Sequence, residues 1–235
     1  MENKVKVSGC IVTFNNKEEI KECVSSVLEY TVGVDFQLFI SDNLSSDGTA
    51  DYIKNNFSNV KVLENSENKG FGTGHNAVIP VLDSKYHVII NPDITLDKDV
   101  ITELCDFMDK HEDIGMIVPK VLYKDGKEQH LPKLSPSLKY LLGGRISFFK
   151  KYRDEYTMAN KKIDKPINVD FCSGCFSVIR TDLFKQIGGF DDRYFMYFED
   201  ADLTKEVQHK GYKTMFYPNT YVYHVWSRAS MHSFK

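Results

Sequence analysis

The order of apolar and polar positions divides the chain into two parts. From Val5 to Phe14 an apolar run rich in valine and isoleucine reads as a strand, and Asn15 and Asn16 follow it as caps for a helix opening near Lys17. The alternation repeats, with strands at Phe36 to Ser41, Val60 to Leu63 and His87 to Ile90, and helices at Asp51 to Phe57 and Gly74 to Leu82. A further helix is predicted from about Asp99 to Lys110, where Ile101, Leu104, Phe107 and Met108 fall at helical spacing, and Met116 to Val121 supplies the next strand. Strands alternating with short helices predict an α/β fold with a mainly parallel central sheet flanked by helices on both faces. In such sheets ligands gather beyond the carboxyl ends of the strands.

After residue 122 the alternation stops. Tyr123 to Gln129 reads as a hairpin around Asp125-Gly126, and the basic, aromatic stretch from Leu131 to Lys165, broken by Pro132, Pro136 and Gly143-Gly144, is assigned no regular structure. Regularity returns with a strand at Val169 to Arg180 and a short helix from Asp182, capped by Thr181 and ended by Gly188. A helix at Asp200 to Lys210 and strands near Lys213 to Tyr217 and Tyr221 to Val225 complete the pattern.

Length and composition narrow the class. The 235 residues suit one medium domain, and 42% hydrophobic with 27% charged residues is ordinary globular usage. A formal net charge of -3 offers a polyanion no general attraction, which disfavours a nucleic-acid partner; a small nucleotide still fits where a metal ion supplies local positive charge. Met1 to Val7 alternates charged and apolar residues without the run that a signal peptide or membrane span requires, so a cytoplasmic chain is expected. Cys10, Cys23, Cys105, Cys172 and Cys175 make no even framework. Cys172 and Cys175 form a CxxC, but it lacks a second pair and precedes a β-like run, so ordinary buried thiols are expected.

The loops after the first four strands would all open at one rim, and each is polar or glycine-rich. They carry Thr13-Phe14-Asn15, then Asp42 to Gly48 with Ser45 and Asp47, then Asn68 to Asn76 with Gly70, Gly72 and Gly74, then Asn91-Pro92-Asp93. Turn chemistry explains any one of them; their coincidence points to a ligand site. A pyrimidine needs an acceptor for its ring N–H, which Asp42 at a strand end supplies, with Thr13 and Asn15 holding the base mainly through backbone. The glycines of the third loop permit close backbone approach to a nucleotide, and Asn76 adds a polar side chain. A dinucleotide fingerprint is excluded by position, since it belongs after the first strand and this one follows the third.

Five segments taken together resemble the family 2 glycosyltransferases: Val12-Thr13-Phe14-Asn15, Asp42-Asn43-Leu44-Ser45-Ser46-Asp47-Gly48-Thr49, Asn68-Lys69-Gly70-Phe71-Gly72, Asn91-Pro92-Asp93 and Phe198-Glu199-Asp200-Ala201-Asp202-Leu203. The resemblance covers nearly the whole chain. Asn68-Lys69-Gly70-Phe71 and the closing His224-Val225-Trp226-Ser227 make it most similar to the bacterial rhamnosyltransferase-like branch that builds cell-surface polysaccharides. It implies a single GT-A (nucleotide-diphospho-sugar transferase) domain over 1–235, with 1–121 as the nucleotide-sugar-binding half and 122–235 as the acceptor-binding half.

The resemblance also implies roles. Thr13, Asn15, Asp42, Ser45, Asn68, Gly70, Phe71, Asn76, Asn91 and Asp93 fall on the donor. Asp93 would ligate Mn2+ or Mg2+, with Asn91 standing where the family usually has the first acid of Asp-x-Asp, and His224 would complete the metal shell. Asp200, in a Glu-Asp pair after the Gly188-Gly189-Phe190-Asp191 turn, would be the general base, kept ionised by its helix N-terminus. Glu199 would orient the acceptor, and Asp202 either does the same or holds the helix start. Asp170, Gly174 and Cys175 fall at the sugar and acceptor pocket, while Tyr194, Phe195, Tyr197 and Trp226 suit either stacking on sugar faces or the core. Plainer readings stand beside these. Asn-Pro-Asp also suits a strand-ending turn with Asp97 capping the next helix, the histidine a structural role, and the acidic run an ordinary first helical turn.

The implied activity is inverting, metal-dependent transfer from a nucleotide-diphosphate sugar, dTDP-rhamnose first and UDP-sugars next, to a saccharide acceptor. Related chains often continue into helices that approach the membrane. The chain is therefore expected to be truncated at its C-terminus, with a lipid-linked acceptor and peripheral contact at the inner membrane face. Two alternatives remain at this point. A sugar-nucleotide-forming nucleotidyltransferase would need a basic glycine-rich loop after the first strand, for which Asn15-Asn16-Lys17 is a poor substitute; the other is a non-catalytic glycan- or nucleotide-binding module.

Overall fold

The first strand, β1 (Lys6–Thr13), shows how the sheet is covered on both faces. Val7 and Ile11 point into one apolar cluster, and Cys10 and Val12 into another, as the two-residue period of a strand dictates. The computed structural model describes residues 6–143 and 150–225. Within them β1 is followed by α1 (Lys17–Tyr30), β2 (Asp35–Asp42), α2 (Thr49–Asn56), β3 (Lys61–Glu64), α3 (Phe71–Asn76), β4 (Tyr86–Ile90) and β5 (Ile94–Thr95). Then come α4 (Val100–Asp109), β6 (Ile114–Leu122), α5 (Leu138–Gly143), α6 (Lys150–Tyr156), β7 (Ile167–Asn168), β8 (Phe176–Arg180), α7 (Thr181–Ile187), α8 (Glu199–His209) and β9 (Lys213–His224).

The strands form one sheet in the order β3-β2-β1-β4-β8-β6-β9-β5, with β7 also paired to β9. The half β3-β2-β1-β4 is parallel, as the alternating pattern predicts. Beyond it the sheet is mixed, because β8 lies antiparallel between β4 and β6 while β9 runs parallel to β6. Consequently β1, β2, β3, β4, β6 and β9 all end at one rim, and β8 begins there. That places Thr13, Asp42, Asn91, His224 and the segment before Phe176 on the same edge. Packing supports this frame from both sides. Ile20, Cys23, Val24 and Val27 of α1 and Val100, Ile101, Leu104 and Met108 of α4 cover one face, while Leu183 and Phe184 of α7 and Leu203 and Val207 of α8 cover the other. Truncating a fully buried leucine such as Leu104 to alanine would cost about 2–5 kcal/mol.

Several elements differ from the sequence expectation. The third-loop helix starts at Phe71, earlier than Gly74, and a separate 3₁₀ turn covers Ile79–Val81. The basic stretch contains α5 and α6, to which the sequence assigned nothing. The two C-terminal strands are one, β9, whose register against β6 shifts between Pro119 and Lys120. The expected strand from Val169 is regular only from Phe176. Upstream its N–H groups go to unrelated partners: Val169 to Thr214 O, Asp170 to Lys133 O, Cys172 to Thr204 Oγ1 and Gly174 to Asp200 Oδ2. A segment whose donors diverge in this way cannot form a ladder. The hairpin is present, with Gly126 at φ 83° and Tyr123 N–H donating to Lys127 O.

Candidate active site

The first two loops are tied together through Asp42. Its carboxylate is 2% exposed; Oδ1 accepts from Thr13 Oγ1 at 2.9 Å and Ser45 Oγ at 2.5 Å, and Oδ2 accepts from Ser45 N at 2.9 Å. Ser45 Oγ in turn accepts from Asn15 N at 2.9 Å, and Asn15 Oδ1 accepts from Ser46 N at 2.8 Å. Asn15 can close this ring because it sits at φ 56°, in the left-handed region that asparagine tolerates. Thr13 O accepts from Asn43 N at 2.8 Å, which uses one of the two lone pairs of that carbonyl. About one of the four acceptor positions of Asp42 stays open to a ligand N–H.

The third loop is fixed by close backbone approach. Gly70 has φ 90°, ψ -176°, and a Cβ there would lie 2.0 Å from Phe195 O; Phe71 N donates to that same carbonyl at 3.1 Å. Only glycine fits. Asn68 Oδ1 accepts from Gly70 N at 3.0 Å and Asn43 Nδ2 at 3.2 Å, and the Phe71 ring packs edge-on against His75 and Phe190. Asn76, expected on the donor, is engaged with the backbone of Phe190. Its Oδ1 accepts from Phe190 N at 2.8 Å and its Nδ2 donates to Phe190 O at 2.7 Å, so the carboxamide braces α3 against the turn that leads to α8.

At the fourth loop, Asp93 and His224 meet. Both are 8% exposed, and His224 Nε2 lies 3.1 Å from Asp93 Oδ1. The backbone closes the same contact, because Ile94 pairs with His224 across β5 and β9 and Val225 N donates to Asp93 O at 3.1 Å. Asp97 does not cap the following helix; it receives the hydroxyls of Tyr221 and Tyr223, and the cap is Asp99, whose Oδ1 accepts from Thr102 N. Two cis ligands of an octahedral ion with bonds of about 2.1 Å stand roughly 3 Å apart, so this pair has the spacing for one shared divalent cation. Among the described residues no group of three or more His, Cys, Asp or Glu side chains could hold a metal, so such an ion would take its remaining ligands from phosphate oxygens and water.

Asp200 reaches the same place from α8. Its Oδ2 accepts from Gly174 N at 3.1 Å and its Oδ1 from Ala201 N at 2.9 Å. One residue on, Cys175 O accepts from Asn91 N at 2.8 Å. The Gly174-Cys175 step therefore bridges the Asn-Pro-Asp loop and the acidic helix start. Burial pushes the Cys175 thiol up to about 12, the Ser173 hydroxyl opposes it, and Asp93 and Asp200 both add to the rise.

The electrostatics of the acidic pair differ from expectation. Burial raises the Asp200 carboxyl above its ordinary value against the opposing N–H groups of Gly174 and Ala201, so desolvation outweighs the helix terminus that was expected to keep it ionised. Glu199 is also raised, to about 7, first by burial and then by the charge of Asp200, and its Oε2 is buried with no hydrogen-bond partner among the described residues. Asp202 is half-buried and also raised, by burial first. Tyr197 and Phe198 enter this helix at φ 71° and 70°, and Phe195, Met196, Tyr197 and Phe198 are exposed beside it, outside the core. Asp170 is exposed, and Trp226 lies outside the described residues.

The family model for glycosyl transferase family 2 matches residues 8–188, most of the chain. The protein belongs to this family. A second model, described as the N-terminal domain of galactosyltransferase, matches residues 154–227 of the transferase. Among curated proteins it is 28% identical, over 80% of its chain and 66% of the relative, to an N-acetylglucosaminyl-diphospho-decaprenol L-rhamnosyltransferase of Mycobacterium tuberculosis (strain ATCC 25618 / H37Rv). The chain thus spans just under two thirds of that relative's length. Among solved structures it superposes on S. aureus TarS 1-349 with a TM-score of 0.70 at 16% identity, covering 94% of this chain and 60% of that one. It also superposes on GalNAc-T7 with UDP, GalNAc and Mn2+, with a TM-score of 0.71 at 17% identity, covering 95% of this chain and 44% of the other. These likenesses carry the GT-A fold. Family membership sets the chain among the glycosyltransferases and speaks against the nucleotidyltransferase reading.

Sequence reasoning missed three polar residues at the site of the transferase. Asn65 Nδ2 donates to Asn43 Oδ1 at 2.9 Å, joining the second and third loops. Gln129 contacts His224, and Lys133 is buried behind Ser173 and Cys175, 3.7 Å from Glu128. Burial lowers the Lys133 ammonium from its ordinary value. Asn65 and Gln129 sit among other polar residues in the sequence and Lys133 between Pro132 and Leu134, and only the fold reveals their neighbours. No helix among the described residues is long and apolar enough to cross a membrane.

Proposed function

We propose that the transferase moves a sugar, rhamnose in the favoured case, from a nucleotide-diphosphate donor to a saccharide hydroxyl by a single metal-dependent displacement with inversion. The observation that carries this reading is the Gly174-Cys175 step, which touches Asp200 on one side and the loop of Asp93 on the other. In this reading that step sets the base beside the leaving-group site.

In this reading Asp42, Thr13, Asn15 and Ser45 border the nucleoside, with the remaining acceptor position of Asp42 on a ring N–H. Asn68, Gly70 and Phe71 shape the wall beside it, and Asn91 and Asp93 lie at the diphosphate. Asp93 and His224 would hold Mn2+ or Mg2+, which when bound supplies positive charge for the departing diphosphate. Asp200 takes the proton of the acceptor hydroxyl as its oxygen bonds to the anomeric carbon; the bond from that carbon to the diphosphate oxygen breaks, and the electron pair leaves on the nucleoside diphosphate. Gly174 and Ala201 aim the carboxylate through their N–H groups. Glu199, Gly174 and Cys175 border the acceptor, with the exposed Tyr197 and Phe198 rings available to stack on sugar faces.

The rhamnosyl preference rests on the relative named L-rhamnosyltransferase, whose name also carries a diphospho-decaprenol-linked N-acetylglucosamine. A lipid-linked saccharide acceptor in cell-surface polysaccharide synthesis follows as part of the proposal, with action at the cytoplasmic face of the membrane. A donor panel read by thermal shift with and without Mn2+ tests it, since a ligand bound only by the native state raises the melting temperature. A rise of several degrees with dTDP-sugars and Mn2+, lost in Asp93→Ala, is expected. An equal rise without the metal would contradict the cation site, and no rise with any sugar nucleotide would contradict the function.

A further inference from the structure

Gln129 follows the Asp125-Gly126 hairpin, is 3% exposed, and is held in place by its own N–H, which donates to Val121 O at 2.8 Å. Its side chain faces the end of β9. Nε2 donates to His224 O at 2.6 Å and approaches Leu122 O at 3.4 Å, so both amide hydrogens are directed at carbonyl oxygens, which can only accept. The opposite orientation of the carboxamide would set oxygen against oxygen at the shorter of these distances. Oε1 must therefore face the ring, and it lies 3.1 Å from His224 Nδ1. An amide oxygen cannot donate, so Nδ1 carries the hydrogen of this contact. The ring is thereby held with Nε2 toward Asp93 Oδ1 at 3.1 Å, where the carboxylate also only accepts, so a divalent cation would take the place of the Nε2 hydrogen.

We propose that Gln129 is a positioning residue that fixes the ring plane of His224 through Nδ1, so that Nε2 and Asp93 Oδ1 face one divalent cation. This rests on the metal-dependent reading above. Metal-ligating histidines almost always donate their second ring N–H to an acceptor, and loss of such a partner typically weakens metal affinity by about 10–100-fold. The arrangement also fastens the hairpin of residues 123–128 to the cation site, because one side chain binds the backbone of both β6 and β9 and the ring between them.

Two measurements test it. Long-range proton–nitrogen NMR of the metal-free wild-type protein at pH 8 reads the His224 ring directly and needs no variant; hydrogen on Nδ1 is expected, and a ring without hydrogen on Nδ1 would overturn the proposal. Electron paramagnetic resonance of Mn2+ titrated with UDP or dTDP then compares wild type, Gln129→Met, His224→Ala and Asp93→Ala. Gln129→Met keeps the side-chain volume; it is expected to bind Mn2+ about 10-fold more weakly and to show mixed His224 tautomers while its circular dichroism is unchanged. Wild-type affinity and tautomer in Gln129→Met, with weakened His224→Ala, would reject Gln129 and leave the cation site standing. Wild-type affinity in both His224→Ala and Asp93→Ala would instead reject the cation site itself, and with it the proposed role of Gln129.

Discussion

Gly174 donates its N–H to Asp200 Oδ2 at 3.1 Å, and a Cβ on Gly174 would lie only 3.2 Å from Asp200 Cβ and 3.4 Å from the Phe71 ring. The glycine thus aims the carboxylate and leaves room for it. In Gly174→Ala, Asp200 must shift by a few tenths of an ångström. Misplacement of about 1 Å can cost roughly 10²-fold in rate, so a loss of about 10-fold in kcat is expected here, with donor affinity near wild type. Steady-state kinetics of diphosphate release check the split.

Glu199 makes a pH prediction. Its carboxyl lies at about 7 in the folded protein against 4.5 ordinarily, because burial favours the neutral form. Between those values the folded state holds a proton that the unfolded chain has released, so stability declines as pH rises through this window and the loss is complete above it. Glu199→Gln removes the titration. Chemical denaturation of the metal-free protein should show the variant gaining on wild type by roughly 2–3 kcal/mol from pH 4 to pH 8. A constant difference across that range would contradict the buried carboxyl.

Asn76 separates a brace from a ligand contact. Because its carboxamide is occupied by Phe190 N and O, Asn76→Ala leaves two backbone groups unpaired and is expected to destabilise the fold by about 1–3 kcal/mol. Donor affinity of the folded fraction should stay within about twofold of wild type. A selective loss of donor affinity with unchanged melting temperature would return Asn76 to the nucleotide.

The parallel half of the sheet and its rim of loops were legible in the sequence, since β-branched runs and the polar positions that end them depend on local chemistry alone. The meeting of Asp93 with His224, far apart in sequence, was anticipated through family resemblance; its physical cause is β5, which follows Asp93 directly and pairs Ile94 with His224 at the end of β9. The start of α3 was misplaced because Gly70, Gly72 and Gly74 carry poor helix propensity, while close packing against Phe195, Phe190 and Val12 requires those glycines. Val169 to Cys175 reads as strand because Val169, Phe171 and Cys172 are buried, yet its donors serve four different partners. The direction of the shift at Asp200 was misjudged for a related reason: a helix start is visible in sequence, and the depth at which it is buried is not.

The most direct test is Asp200→Asn assayed with donor, acceptor and Mn2+, following nucleoside diphosphate release alongside calorimetric donor binding. An amide of the same shape cannot take the hydroxyl proton. Release is expected to fall by at least about 10²-fold while Mn2+-dependent donor binding stays within a few-fold of wild type. Turnover near the wild-type rate in this variant would contradict Asp200 as the base.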